Sequence, residues 1–235
     1  MIRLVVLDMA GTTVDEGGAV YVALHDAVAA DRVNVGSEVT EAAVQEWMGT
    51  EKRTAIRALT EAASGTVPDT EAVERMYVDF RARLSTAYRE APPVPIAGTE
   101  EMFTELRRRG IRIALTTGFG RDIAEPLLAS LGWTTGSIGS TDSTVDAVVC
   151  GDEVAEGRPA PYLVFRAMER TGTRSVDEVL VGGDTVVDLR AGTNAGARVV
   201  LGVTTGKLSF ADLEVERHTH LLDSVAGIPA LLDRL

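Results

Sequence analysis

The sequence predicts an α/β protein, a parallel sheet covered by helices on both faces and interrupted by an all-helical insert. Three observations carry this expectation. The short apolar run Leu4-Val5-Val6-Leu7 ends in Asp8 and Gly11, as a buried strand entering a sharp turn does. From Gly98 onward, helical and strand-like segments alternate, which implies right-handed crossovers between parallel strands. Between these regions, apolar residues recur only at helical spacing.

Taken in order, the first strand is followed by Asp15-Glu16-Gly17-Gly18, a polar and flexible hinge. Val20, Leu24, Ala27 and Val28 then line one helical face, and Val73, Met76, Phe80, Leu84 and Ala87 line another. Asp69 stands where that later helix needs an N-cap. Ala91-Pro92-Pro93-Val94-Pro95 is a stiff, extended exit. The insert between the hinges has about 75 residues, the size of a small domain. Next come a helix from Gly98 to Arg109 stopped by Gly110, a strand over residues 111–115, and a helix to about Leu131. A short strand over residues 146–150 precedes a helix expected to begin in Arg158-Pro159-Ala160-Pro161. Val179-Leu180-Val181 is a strand ending in Gly182-Gly183-Asp184, and the following helix carries Asp188 and ends near Gly196. Residues 198–203 form a further strand, and a last strand and helix run from about His220 to Leu235.

The net charge of −12 argues against nucleic acid and anionic membranes as partners, so an anionic substrate needs a local cation or a metal. Asp8 interrupts the first apolar run, so no secretory leader is expected, and no apolar stretch is long enough to span a bilayer. The single cysteine, Cys150, fits a reducing cytoplasm and reads as a small buried hydrophobe. Of 23 basic residues only Lys52 and Lys207 are lysines, so each raises a question about its chemistry. Lys207 reads as part of a solvated loop.

A parallel sheet gathers its strand ends at one edge, where ligands bind. Asp8, Thr116, Arg158 and the Asp184/Asp188 pair all follow strands or start helices. Each alone has a structural reading: a turn cap, a turn hydroxyl, a surface charge, acids at a helix start. As a set they form coherent chemistry. Asp8 and Asp184 at one tip repel unless a cation lies between them, and hard carboxylate oxygens select Mg²⁺. Arg158 and the Thr116 hydroxyl suit the oxygens of a transferring phosphoryl group, with backbone amides near Thr117 and Gly118 as further donors.

Over nearly its whole length the chain resembles the haloacid dehalogenase superfamily of aspartate-nucleophile hydrolases. The resemblance makes Asp8 the nucleophile, Thr116 the second motif, Arg158 the third-motif cation, and Gly183-Asp184 with Asp188 the metal motif. It implies a Rossmann-like core of residues 1–15 and 95–235 and a helical cap domain of residues 16–94. It implies a Mg²⁺ site of Asp8, Ala10, Asp184 and Asp188, and substrate contacts at Gly11, Thr12, Thr117, Gly118 and Met48. Members often dimerise through the cap, so a homodimer is the assembly implied.

Two departures narrow the resemblance. Most phosphatases of the superfamily carry a second Asp where this chain has Ala10, and a lysine where it has Arg158. Both features resemble the phosphonoacetaldehyde hydrolase (phosphonatase) family, whose opening reads as Asp8 to Asp15 do here. A cap lysine of that family forms a Schiff base with the substrate aldehyde, and Met48-Gly49-Thr50-Glu51-Lys52 matches its setting. The chemistry connects the two differences. Ester hydrolysis needs a general acid, which Ala10 does not supply. C–P cleavage needs an electron sink, which an imine on Lys52 supplies and an arginine cannot. The family pattern has Cys, Tyr and His where this chain has Gly18, Phe119 and Ala55. The function expected is Mg²⁺-dependent cleavage of a small phosphonate. Its alternative is a phosphatase for a small phosphorylated metabolite, with Lys52 an electrostatic contact. A metal-free dehalogenase fits the paired Asp184 and Asp188 less well, and a non-catalytic sensor does not account for Asp8, Thr116, Arg158 and Asp184 occurring together.

Overall fold

The protein is described here by a computed structural model covering residues 1–31, 38–136 and 142–235. The strands are β1 (Leu4–Asp8), β2 (Val14–Asp15), β3 (Val94–Pro95), β4 (Arg112–Thr116), β5 (Ala147–Val149), β6 (Val179–Gly183), β7 (Val199–Val203) and β8 (His220–Leu222). Among the described residues, six of them form one parallel sheet in the order β5-β4-β1-β6-β7-β8. Successive side chains alternate across a strand. Val5 and Leu7 therefore pack in one apolar layer and Leu4 and Val6 in another, so β1 is buried on both faces, as its unbroken apolar run predicts.

Helices α1 (Ala19–Ala30), α2 (Glu41–Glu46), α3 (Lys52–Ser64) and α4 (Thr70–Glu90) lie between β2 and β3. Asp69 caps α4, accepting from the Ala72 amide at 2.7 Å. Arg53 ties α3 to α4 through Glu74, its guanidinium 3.7 Å from the centre of the Tyr77 ring. The connections into and out of the insert pair with each other: Val14 opposes Pro95 and Asp15 opposes Val94 in an antiparallel ladder. Residues 32–37 of the insert lie outside the described residues.

The core helices are α5 (Thr99–Arg108), α6 (Arg121–Ser130), α7 (Tyr162–Thr171), α8 (Val186–Ala195), α9 (Phe210–Glu214) and α10 (Ile228–Leu232). One expectation is corrected here. Helix α7 begins at Tyr162, so Arg158 stands in a loop before it rather than in its first turn. Pro159 and Pro161 each push the residue before them out of helical geometry, so the helix starts only after both. Among the described residues, no helix is long and apolar enough to cross a membrane.

Candidate active site

Strands β4, β1 and β6 are neighbours, so their C-terminal ends bring together residues far apart in the chain. Asp8 ends β1 and lies in register with Thr116 at the end of β4. Asp184 follows β6 directly, and Asp188 sits in the first turn of α8. One carboxylate oxygen from each of Asp8, Asp184 and Asp188 lies within 4.8 Å of the others.

Arg158 is 5% exposed and spans two of these acids. Its guanidinium donates to Asp8 Oδ1 at 2.6 Å and forms a short contact with Asp188 Oδ1. The other Asp188 oxygen accepts from the Thr185 amide at 3.1 Å and from the Thr185 hydroxyl. Asp184 accepts from the Thr12 hydroxyl at 2.7 Å, and among the described residues no cation pairs with it. Burial pushes the Asp8 carboxyl up to about 6, with Arg158 opposing the rise and Asp188 adding to it. Burial, then Asp8 and Asp188, hold Asp184 well above the carboxylate range. Gly11, at φ +85°, and Gly206 both press on the Asp184 carboxylate, where a Cβ on either would collide with it. Hard oxygen donors, crowded and short of positive charge, fit a hard divalent cation. Ala10 has only its backbone carbonyl to offer such an ion.

A cavity of about 270 Å³ opens above these acids, walled by the core on one side and the insert on the other. Lys52, the first residue of α3, faces it and is 3% exposed. Glu51 fixes that position by capping the helix, its carboxylate accepting from the Arg53 and Thr54 amides at 2.9 and 2.8 Å. Lys52 Nζ donates to the Thr50 carbonyl at 3.2 Å and lies 5.6 Å from the centre of the Phe119 ring. Burial, then the Arg158 charge, push its ammonium down to about 8.

Asp8, Ala10, Gly11, Arg158 and Asp184 line the cavity from the core, as do Thr117 and Gly118; Met48 and Lys52 line it from the insert. Thr12, Thr116 and Asp188 do not line it. Thr12 is turned to Asp184, and the Thr12 and Gly11 amides close their own loop, on Met9 and Val14 carbonyls. Thr116 ends β4, and Thr117, the first residue beyond the strand, meets the cavity in its place. The Thr117 amide expected as a free donor is spent on the Val149 carbonyl at 3.1 Å. Its hydroxyl accepts from the Phe119 amide at 3.1 Å, leaving the O–H to donate.

Sequence reasoning did not place Glu16, Tyr21 or Lys207 at the cavity, yet all three line it. Lys207 is exposed, as a solvated loop implies, but its ammonium also lies 3.9 Å from the centre of the Tyr21 ring at the cavity mouth. Its rarity in an arginine-rich chain was the available signal. Cys150 is buried, and burial pushes its thiol up to about 12, as an inert packing residue requires.

The fold and this acid cluster agree with what similarity to known proteins shows. The chain belongs to the haloacid dehalogenase-like hydrolases, whose family model matches residues 2–196. It is 31% identical over 229 residues to a phosphonoacetaldehyde hydrolase of Bacillus cereus, covering 92% of this chain and 81% of the relative. It is 33% identical over 222 residues to another from Nitratidesulfovibrio vulgaris, covering 87% and 72%. Among solved structures, a hydrolase from Pseudomonas syringae superposes with a TM-score of 0.83 at 19% identity, covering 99% of both chains. A phosphonoacetaldehyde hydrolase-like protein from Oleispira antarctica superposes at 0.80 with 22% identity, covering 99% of this chain and 92% of that one. These structural likenesses bear on the fold.

Proposed function

We propose that this hydrolase cleaves the C–P bond of a small phosphonate aldehyde of the phosphonoacetaldehyde type, in two covalent steps. The observation that carries the reading is Lys52, an amine buried in the same cavity as Asp8 and pushed down to about 8. A deprotonated fraction near neutrality is what condensation with an aldehyde needs. Lys52 Nζ bonds to the aldehyde carbon and the oxygen leaves as water, giving a protonated imine. Asp8 then attacks phosphorus, the C–P electron pair passes into the imine, and the carbon fragment leaves as an enamine on Lys52. Water finally hydrolyses the aspartyl-phosphate, and protonation and hydrolysis of the enamine free Lys52.

Arg158, whose Nε is buried without a hydrogen-bond partner among the described residues, is suited to hold a phosphonate oxygen. The Thr117 hydroxyl takes the role expected of Thr116, with Gly118, Gly11 and Met48 shaping the pocket. Mg²⁺ would be held by Asp8, Asp184, Asp188 and the Ala10 carbonyl, and would neutralise charge gathering on the phosphoryl oxygens. Residues 1–15 and 95–235 act as the catalytic core and residues 16–94 as the cap over it. The free, buried Cys150 supports a cytoplasmic setting.

A second reading, hydrolysis of a small phosphate ester, is favoured by the Lys52 bond to the Thr50 carbonyl, which suits a fixed electrostatic contact. A panel of phosphonoacetaldehyde and phosphate esters, run on wild type and Lys52→Arg, separates the two. C–P cleavage should fall on the order of 10³-fold or more in Lys52→Arg, which keeps the charge but forms no imine. Equal activity would leave Lys52 an electrostatic role only.

A further inference from the structure

We propose that Glu16 is the proton-transfer residue for imine formation at Lys52, an inference that rests on the C–P reading above. Glu16 sits between β2 and α1, is buried, and lines the cavity that Lys52 faces. Expelling water from the adduct of an amine and an aldehyde needs an acid inside that cavity. The other candidates are committed or unsuited. Asp8 is paired with Arg158 and attacks phosphorus. Asp184 belongs to the acid cluster that fits a cation. Asp15 is exposed and its carboxylate accepts from the Gly17 amide at 3.0 Å. Burial, then Asp184, push the Tyr21 hydroxyl far above its ordinary value, which makes it a weak donor. Lys207 stacks its ammonium on that ring at the mouth. None of the chain's three histidines lines the cavity; His25 borders a neighbouring one.

The surroundings of Glu16 suit a carboxyl that changes protonation state. Burial raises its carboxyl from the ordinary glutamate value, while the Val20 and Gly18 amides and the Lys52 charge favour the ionised form, and Asp15 opposes it. Tyr21 on α1 and Tyr88 on α4 also feel its charge, and the Tyr88 hydroxyl is buried without a hydrogen-bond partner among the described residues. In the step, Lys52 Nζ forms the C–N bond and the amine proton passes to the former carbonyl oxygen. Glu16, starting as the acid, gives its proton to that hydroxyl. The C–O bond breaks, water leaves, the nitrogen lone pair closes the C=N bond, and Glu16 is left as the carboxylate.

The structural alternative is that Glu16 only holds the start of α1, since its Oε2 accepts from the Val20 amide at 2.8 Å. Glu16→Gln separates the two, because the amide oxygen can still accept that bond but the side chain cannot supply the proton. Phosphonoacetaldehyde turnover, borohydride trapping on Lys52 and thermal unfolding are measured for wild type, Glu16→Gln and Glu16→Asp. Glu16→Gln should lower kcat and the trapping rate together by about 100-fold, with KM unchanged and the unfolding midpoint no lower than wild type. Glu16→Asp should recover part of the loss. A wild-type kcat or trapping rate in Glu16→Gln overturns the proposal. So does an equal loss in both variants, which would leave Glu16 a capping residue. Absence of any Lys52 adduct in the wild type instead removes the imine reading itself, and is seen before any variant is compared.

Discussion

Charge balance at the site turns on Asp184. Asp8 and Asp188 share the Arg158 guanidinium, whereas Asp184 has the Thr12 hydroxyl and no cation among the described residues. Burial and its acidic neighbours hold its carboxyl well above the ordinary range in the folded state. The folded protein therefore retains a proton that the unfolded chain has released. The stability this group contributes is present below the ordinary Asp value and is lost as pH rises through the raised folded value. Asp184→Asn keeps an acceptor for Thr12 and removes that penalty. In EDTA at neutral pH the variant should unfold at a higher temperature than wild type, by about 2–4 °C for each kcal/mol relieved. The variant should lose activity, and added Mg²⁺ should stabilise wild type but not the variant. Thermal unfolding with and without Mg²⁺ checks this, and a midpoint in EDTA below wild type would contradict it.

The segment before α3 and the turn after β4 meet through backbone. A Cβ on Gly118 would collide with the Thr50 carbonyl, and Gly49, at φ +80°, lies against Thr185 and Val187 at the start of α8. Lys52, next in the chain after this seated segment and Glu51, faces the cavity that Asp8 lines. Gly118→Ala should lift the first turn of α3 and lower kcat on the order of 10²-fold, with the sheet intact, because small misplacement of reacting groups is costly. Unchanged kinetics with an unchanged unfolding curve would contradict it. Elements of this kind differ in how far the sequence reveals them. β1 was legible because a strand buried on both faces leaves an unbroken apolar run, and α4 because Asp69 marks its start. β2 and β3, two residues each, are too short for any alternation to show, and α9 has five residues. Periodicity also did not decide which of Thr116 and Thr117 meets the cavity, since strand register depends on partners elsewhere in the chain.

In the whole molecule, an acidic chain of net charge −12 concentrates Arg158 and Lys52 beside one cavity, so attraction of an anionic substrate is local rather than global. Asp8, Arg158 and Asp184 were legible because parallel α/β connections collect strand ends at one edge. Glu16 was not, because it reads as one polar residue of a hinge until the insert folds back over the sheet. In the proposed reaction the sheet edge supplies the nucleophile while the insert supplies the amine. Reduction with borohydride during turnover of phosphonoacetaldehyde, with the modified peptide mapped by mass spectrometry, probes that division of labour. A substrate-dependent adduct on Lys52 is expected, absent from Lys52→Arg. Because the step needs Lys52 as the free amine and Glu16 as the acid, its rate should hold level through the neutral range up to about 8 and fall above it, where Lys52 has already given up its proton and protonated Glu16 keeps declining. Full turnover with no adduct on Lys52 at any pH would contradict the proposed reaction.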